Sequence, residues 1–248
     1  MQHPINPFLS ALRADRPQIG YWLALASDHV AEAVASVGFD WLLIDGEHGP
    51  NNLQTALQQM RAIAPYDSHP VARLVNDDVA LIKQYLDVGF QTLLIPMVDT
   101  AEQAARIVGA MHYPPRGFRG DGAAIARASR WGQVADYMDN ASAQLCCLVQ
   151  AETTAALSNL EAIANTDGVD GVFFGPADLS ASMGHPGNAD HPDVQKAIFD
   201  GIAVVRRAGK AAGIITTQRE AAQAYLTAGA RFVAVGADSI SLMQSARA

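Results

Sequence analysis

Eight short apolar runs recur along the chain, and nearly every one is followed by a stretch with helical periodicity. The runs are Ile19–Leu25, Trp41–Asp45, Val71–Val75, Thr92–Pro96, Leu145–Gln150, Gly171–Phe174, Ala211–Ile215 and Phe232–Val235. Each has the length of a buried strand, about 4–8 residues, and most are rich in Val, Ile, Leu or Phe. Between them lie amphipathic or alanine-rich stretches: Asp28–Val37, Leu53–Ile63, Asp77–Val88, Ala101–Met111, Thr154–Ala164, Pro192–Ala208 and Glu220–Ala228. Asp28, Asp77 and Thr100 read as helix starts, and Gly38, Gly89, Gly209 and Gly229 as helix ends. This alternation predicts an α/β fold, a parallel (β/α)8 TIM barrel, with residues 1–248 as a single domain. A doubly wound open sheet usually carries a glycine-rich phosphate turn after its first strand, and Leu25-Ala26-Ser27-Asp28 is not one. Tyr113–Tyr137 breaks the rhythm, with Pro114, Pro115, Gly117, Gly120, Gly122 and four arginines, and a long loop in a compact domain is often functional.

Composition narrows the function. Half of the residues are hydrophobic, enough to fill a core, so the chain is not disordered. Lys plus Arg number 17 against 25 Asp plus Glu, a net charge of −8, which argues against a nucleic-acid surface. No run reaches the ~18 apolar residues of a membrane span, and Met1–Pro17 lacks the apolar core of a signal peptide. Cys146 and Cys147 are adjacent and so would point to opposite faces of a strand, which favours buried reduced thiols and a cytoplasmic protein. A charged fraction of only 17% hints at a homo-oligomer.

Barrel enzymes place their chemistry at the C-terminal ends of the strands. After the fifth run, Gln150 and Glu152 fall on one face with Cys146 and Leu148. Buried there, they need a partner, and a metal ion is one for Glu152; a solvated rim position is the alternative. After the sixth, Gly175-Pro176-Ala177-Asp178 reads as a helix start whose free amides face an anion, with Asp178 either holding a bridging cation or capping the helix. After the second, Asp45-Gly46-Glu47-His48-Gly49 crowds two carboxylates and an imidazole into one loop, with His48 as the natural proton carrier, although a lone histidine is more often structural. The local spacing could also suggest a second metal site. The other six histidines (His3, His29, His69, His112, His185 and His191) are assigned structural roles. Arg73, within the third run, needs an anionic partner from the protein or a substrate. Asp87 lies near a helix C-terminus, either on a solvated face or beside a basic group such as His48. Of the three lysines, Lys83 and Lys196 fall in helical patterns and Lys210 begins a strand at the wrong end, so imine chemistry is disfavoured against metal-assisted chemistry.

Several motifs together resemble the HpcH/HpaI aldolases, a family of metal-dependent (class II) pyruvate aldolases. They are Trp41–His48, Leu93–Val98, Tyr113-Pro114-Pro115 with Arg119-Gly120, Ala126–Gly132 and Gly171–Ser180, and the likeness runs in register from about Ile19 to Gly236. The resemblance is greatest to members acting on 4-hydroxy-2-oxoheptanedioate or accepting hydroxypyruvate. It implies that Glu152 and Asp178 ligate Mg²⁺, Mn²⁺ or Co²⁺, and that Gln150 and the backbone at Ala177 and Asp178 hold a pyruvyl carboxylate. It further implies that Arg73 stabilises the developing enolate or alkoxide, that His48 is the base, supported by Asp87, and that Asp45 helps order water. The implied partners are a small oxo acid and an aldehyde. Two departures stand out. Asp121 occupies a position usually small and apolar, which would weaken an acidic aldehyde, favour a hydroxylated one, or be neutral in effect. The chain also ends at Ala248, so the helix that packs between subunits of the family's hexamer is expected to be short. Competing readings are an oxaloacetate-type decarboxylase on the same site, which would release carbon dioxide with pyruvate in place of an aldehyde, and a non-catalytic oxo-acid-binding barrel that would not need His48.

Overall fold

In the computed structural model, which describes residues 1–248, the eight runs hydrogen-bond into one closed parallel barrel in sequence order. The strands are β1 (Gln18–Leu23), β2 (Trp41–Asp45), β3 (His69–Arg73), β4 (Thr92–Ile95), β5 (Cys146–Ala151), β6 (Gly171–Phe174), β7 (Ala211–Ile215) and β8 (Phe232–Ala237). The helices are α1 (Pro7–Arg13), α2 (Asp28–Ala35), α3 (Leu53–Ile63), α4 (Val79–Val88), α5 (Ala101–Met111), α6 (Tyr137–Asn140), α7 (Thr154–Ser158), α8 (Leu160–Asn165), α9 (Pro176–Ser182), α10 (Pro192–Arg207), α11 (Arg219–Ala228) and α12 (Asp238–Arg247). No helix is long and apolar enough to cross a membrane.

The alternation of side chains along each strand sorts the core into two layers. Leu43, Val71, Leu94, Cys146, Leu148, Phe173 and Phe232 point inward and fill the barrel. Leu42, Ile44, Ala72, Leu93, Ile95, Cys147 and Val149 point outward against the helices. The paired cysteines thus fall in different layers, both buried and free. Burial pushes both thiols well up, so neither is disposed to ionise.

Local chemistry explains where the sequence-based boundaries move. The strand expected to run to Val75 ends at Arg73, and Val75 is exposed. Helix α4 starts from Asp78, not Asp77: Asp78 Oδ1 accepts the Ala80 and Leu81 amides at 2.7 and 3.0 Å, while Asp77 pairs with Arg106. Ser27, not Asp28, caps α2. The single helix expected over Thr154–Ala164 breaks at Asn159, whose side chain leaves to donate to Asp99 O at 2.8 Å. Gly38, Gly89, Gly209 and Gly229 follow their helices with positive φ, as their type suggests.

Helix α1 had no strong sequence signal. It lies across the N-terminal end of the barrel and inserts Phe8, Leu9 and Leu12 into the inner layer. The Phe8 ring stacks on His69 (centroids 5.8 Å apart, planes at 8°), meets Phe232 edgewise and lies tilted against Trp41.

Candidate active site

The site is assembled from the opposite ends of the strands. Parallel register sets Asp45, the last residue of β2, directly beside Arg73, the last of β3, and both side chains point inward. Arg73 Nε and Nη2 donate to Asp45 Oδ1 and Oδ2 at 2.9 and 2.8 Å, a bidentate pair buried on both sides. The guanidinium lies over the Trp22 ring, 4.4 Å from its centroid. Its Nη1 stands 2.7 Å from Glu47 Oε2, close enough for an ion pair but out of line for a hydrogen bond, so Oε2 is buried without a donor. Burial pushes Asp45 upward, but the bonds and charge of Arg73, with the Glu47 and His48 amides, win and hold it below its ordinary value. For Glu47 burial prevails over the charges of Arg73 and His48, and its carboxyl is raised.

The loop after β2 is built on Asp45. Its Oδ1 accepts the Glu47 and His48 amides at 3.0 and 3.3 Å, and its carbonyl accepts Asn51 Nδ2 at 2.8 Å. Gln59 on α3 in turn donates to Asn51 Oδ1 at 2.6 Å. A side chain at Gly46 would place its Cβ 2.7 Å from Arg73 O, so only glycine lets this loop cross β3. His48 is carried to the rim with its side chain 66% exposed, its Nε2 4.0 Å from Glu47 Oε2.

Across the mouth, Gln150 and Glu152 extend the inward face of β5, as the alternation predicts, and both are buried. Glu152 Oε1 accepts the Met97 amide at 2.8 Å, which Met97 presents from a left-handed conformation (φ 53°). Glu152 Oε2 accepts a short bond from Gln150 Nε2, leaving Gln150 Oε1 buried without a partner. Burial raises the Glu152 carboxyl, the Met97 and Gln150 bonds oppose this, and the charges of Glu47 and Asp178 add to it. Gly175 lies directly over the pair: a Cβ there would fall 2.3 Å from Glu152 Oε2 and 2.9 Å from Gln150 Nε2. Gly175 also opens α9, with Pro176 in its first turn and Ala177 and Asp178 exposed beside the mouth.

One expected contact is not made within the chain. Asp87, at the end of α4, accepts Arg119 Nη2 at 2.6 Å rather than supporting His48. Arg119, from the long loop after α5, is fully buried over the Tyr113 ring and attracts Asp87 more strongly than a distant, exposed imidazole could. Residues 113–137 thus form a packed flap on α4, of which Tyr113, Ala123, Ala128, Val134 and Tyr137 make a small core. Sequence reasoning passed over Trp22 and Met97 as site residues, and it counted Glu47 among the loop's two carboxylates without a role of its own. Glu47 follows Asp45 by two positions, a signal that was present; nothing in the sequence marks Met97 as left-handed.

A hollow of about 590 Å³ lies at the other end of the barrel, beside α1, and is lined by Phe8, Arg16, Gln18, Asp40 and Tyr66 among others. It gathers no convergent acid, base or amide set, so the strand C-termini are the stronger candidate. The sequence profile of the HpcH/HpaI aldolase/citrate lyase family matches residues 18–245. The chain belongs to that family. It is 58% identical over 243 residues to a 4-hydroxy-2-oxo-heptane-1,7-dioate aldolase of Klebsiella pneumoniae, covering 98% of this chain and 92% of that one. It is 56% identical over 247 residues to a hydroxypyruvate/pyruvate aldolase of Pseudomonas aeruginosa, covering 100% and 92%. A crystal structure of an HpcH/HpaI aldolase/citrate lyase family protein from Burkholderia cenocepacia superimposes with a TM-score of 0.94 at 41% identity, over 98% of this chain and 96% of that one.

The barrel of this HpcH/HpaI member also fits the divalent cation that the resemblance implies. The charges of Glu47 and Asp178 raise the affinity of Glu152 for protons, those of Asp45 and Asp178 raise that of Glu47, and Arg73 and His48 offset the latter with positive charge. The excess of oxygen donors and the unpartnered Gln150 Oε1 suit a hard cation better than a nitrogen-seeking one.

Proposed function

We propose that this chain catalyses the reversible aldol cleavage of 4-hydroxy-2-oxo acids to pyruvate or hydroxypyruvate plus an aldehyde. The observation that carries the reading is the meeting, at one barrel mouth, of a buried carboxylate–amide pair (Glu152 and Gln150) and a buried guanidinium. The names of the two relatives support the same reaction class.

Glu152 and Asp178 would hold Mg²⁺, Mn²⁺ or Co²⁺, which when bound supplies Lewis-acid polarisation of the substrate's 2-oxo group. Gln150 and the first-turn amides at Ala177 and Asp178 bind and orient the substrate carboxylate. Asp45 fixes the plane of Arg73 by its two bonds and leaves Nη1, which makes no in-line hydrogen bond, to face the oxo oxygen. His48 takes the proton of the C4 hydroxyl, the C3–C4 bond breaks, and the aldehyde leaves. The electron pair moves towards the oxo oxygen, where Arg73 places positive charge. A proton returned to C3 completes pyruvate. Glu47, 4.0 Å from His48 Nε2, fills the supporting role first expected of Asp87.

The rest of the reading is coarser. Residues 1–248 act as one barrel domain. The two buried free thiols favour a cytoplasmic location. Ile240, Leu242 and Met243 on α12, with Ile125 and Trp131 on the flap, stand exposed and favour a homo-oligomer, for which a hexamer is the expected form.

The test is pyruvate and aldehyde release from a 4-hydroxy-2-oxo acid by chelator-treated protein, with and without Mn²⁺ or Mg²⁺. Both products should appear only with metal, and Glu152→Gln and His48→Ala should abolish them. Carbon dioxide without aldehyde would instead identify a decarboxylase. Activity that survives both chelation and Glu152→Gln would overturn the mechanism.

A further inference from the structure

Between α9 and α10 the chain turns back on itself through residues 183–191. The His185 amide donates to Ser180 O at 2.8 Å, the Asn188 amide to His185 O at 3.0 Å, and the His191 amide to Asn188 O at 3.1 Å. Gly184 and Gly187 supply the left-handed turns, with φ of 85° and 75°. Gln195 Nε2 holds Ala189 O at 2.8 Å, and Tyr225 on α11 holds Gln195 at 2.7 Å. The outcome is two imidazoles face to face, centroids 3.5 Å apart and planes at 12°. Asp193, in the first turn of α10, sets Oδ2 4.0 Å from His185 Nε2 and 3.8 Å from His191 Nδ1. One donor atom from each of the three lies within 4.8 Å of the others.

We propose that His185, His191 and Asp193 form a second divalent-cation site, of the Zn²⁺ class rather than the Mg²⁺ class. Two imidazole nitrogens and one carboxylate oxygen are donors that zinc-like ions prefer, whereas magnesium prefers oxygen alone. Ligands about 2.0–2.1 Å from a tetrahedral ion stand roughly 3.4 Å apart, and the in-plane lone pairs of stacked rings run parallel, so closing the observed 3.8 and 4.0 Å takes rotation of one imidazole out of the stack. Both imidazoles are only 29% exposed and are held by the turn, while Asp193, 71% exposed, is free to swing. His191 Nδ1 accepts the Asp193 amide at 3.2 Å, a long contact that yields to the ion. Three protein ligands leave a coordination position for water. Because α9 begins with the residues at the catalytic mouth and ends at this turn, the ion would pin the far end of the segment that carries Asp178.

The site does not depend on the aldolase reading, and its test is metal uptake by the full chain. Chelator-stripped protein is dialysed against Zn²⁺ and its metal content measured for wild type, Glu152→Gln, His185→Phe and Asp193→Asn. His185→Phe keeps an aromatic ring stacked on His191 and removes only a ligand, and its melting curve checks that it is folded. His185→Phe should bind one Zn²⁺ fewer per chain than wild type, and Asp193→Asn should bind that ion at least tenfold more weakly. Glu152→Gln should retain it, and Mg²⁺ at the same concentration should not displace it. If His185→Phe takes up Zn²⁺ with the stoichiometry and affinity of wild type, or if Glu152→Gln alone abolishes all uptake, the site does not exist.

Discussion

At the N-terminal end of the barrel, Phe8, Trp41, Phe232 and His69 close on one another, and the one imidazole among them finds Thr92 Oγ1 at 2.9 Å. At the C-terminal end the same strands finish in Asp45, Arg73, Gln150 and Glu152, with buried polar atoms left over. Burial favours the neutral form of a titratable group at both ends. His69 is pushed down to about 3 by burial and stays neutral. Glu47 and Glu152 are pushed up, yet they sit where a cation and a substrate would relieve them. His69 is satisfied without a ligand whereas Glu47 Oε2 and Gln150 Oε1 are not, a difference that fits a fold-holding end and a working end.

Exchanging the damage sharpens that contrast most. Glu152→Gln should lower pyruvate release by roughly 10²–10³-fold or more while the protein melts no earlier, because a disfavoured buried charge is removed. Phe8→Ala should do the reverse, costing about 3–5 kcal/mol of stability with kcat little changed in the folded protein. Chemical denaturation and a coupled pyruvate assay on both variants would check this, and a stability loss confined to Glu152→Gln would break the division.

Arg73 belongs to both functions, so Arg73→Lys should show a mixed effect. Lysine keeps the charge but cannot bind Asp45 through two parallel bonds or lie flat on Trp22. The expected loss is about 10²-fold in kcat and about 1–3 kcal/mol in stability. Unchanged kcat beside lowered stability would reduce Arg73 to a structural residue.

The satisfied end and the working end also differed in how far they could be read from the sequence. All eight strands and the inward placement of Asp45, Arg73, Gln150 and Glu152 follow from period-2 alternation, because a closed parallel barrel leaves no freedom in which face is inner. Helix α1 is short, and its role as a plug depends on rings from β2, β3 and β8 that meet only in three dimensions. Asp87 illustrates the opposite limit. A carboxylate at a helix end announces that it needs a cation, but only the packed flap decides that the cation is Arg119 and not His48. The Asn159 break and the Met97 conformation are likewise set by side-chain contacts from neighbouring elements.

Metal removal tests the working end through pH. Glu47 and Glu152 have raised carboxyls in the fold, so above the ordinary value of 4.5 the native state holds more protons than the unfolded chain. Their contribution to stability therefore falls as pH rises through the raised values. A cation competes with those protons. Added Mn²⁺ should raise the melting temperature of chelated protein more at pH 7 than at pH 5, approaching about 2.7 kcal/mol at a hundredfold excess over Kd. Equal gains at both pH values, or none, would remove these carboxylates from the metal site.

The smallest effect belongs to the satisfied end, at Asn6. Its Oδ1 accepts the Leu9 amide at 2.9 Å and starts α1, while its Nδ2 donates to Thr92 Oγ1 and Gln144 O, each at 3.0 Å. Asn6→Ala removes both functions, whereas Asn6→Ser keeps a cap and loses only the clasp. Serine should therefore be the more stable of the two by about 1 kcal/mol, the ordinary worth of a helix cap. Neither variant should alter kcat, because α1 meets the inner layer at the end remote from Glu152. Denaturant midpoints of the two variants measure the difference directly. Equal midpoints would mean that the clasp to β4, and not the cap, holds the plug in place.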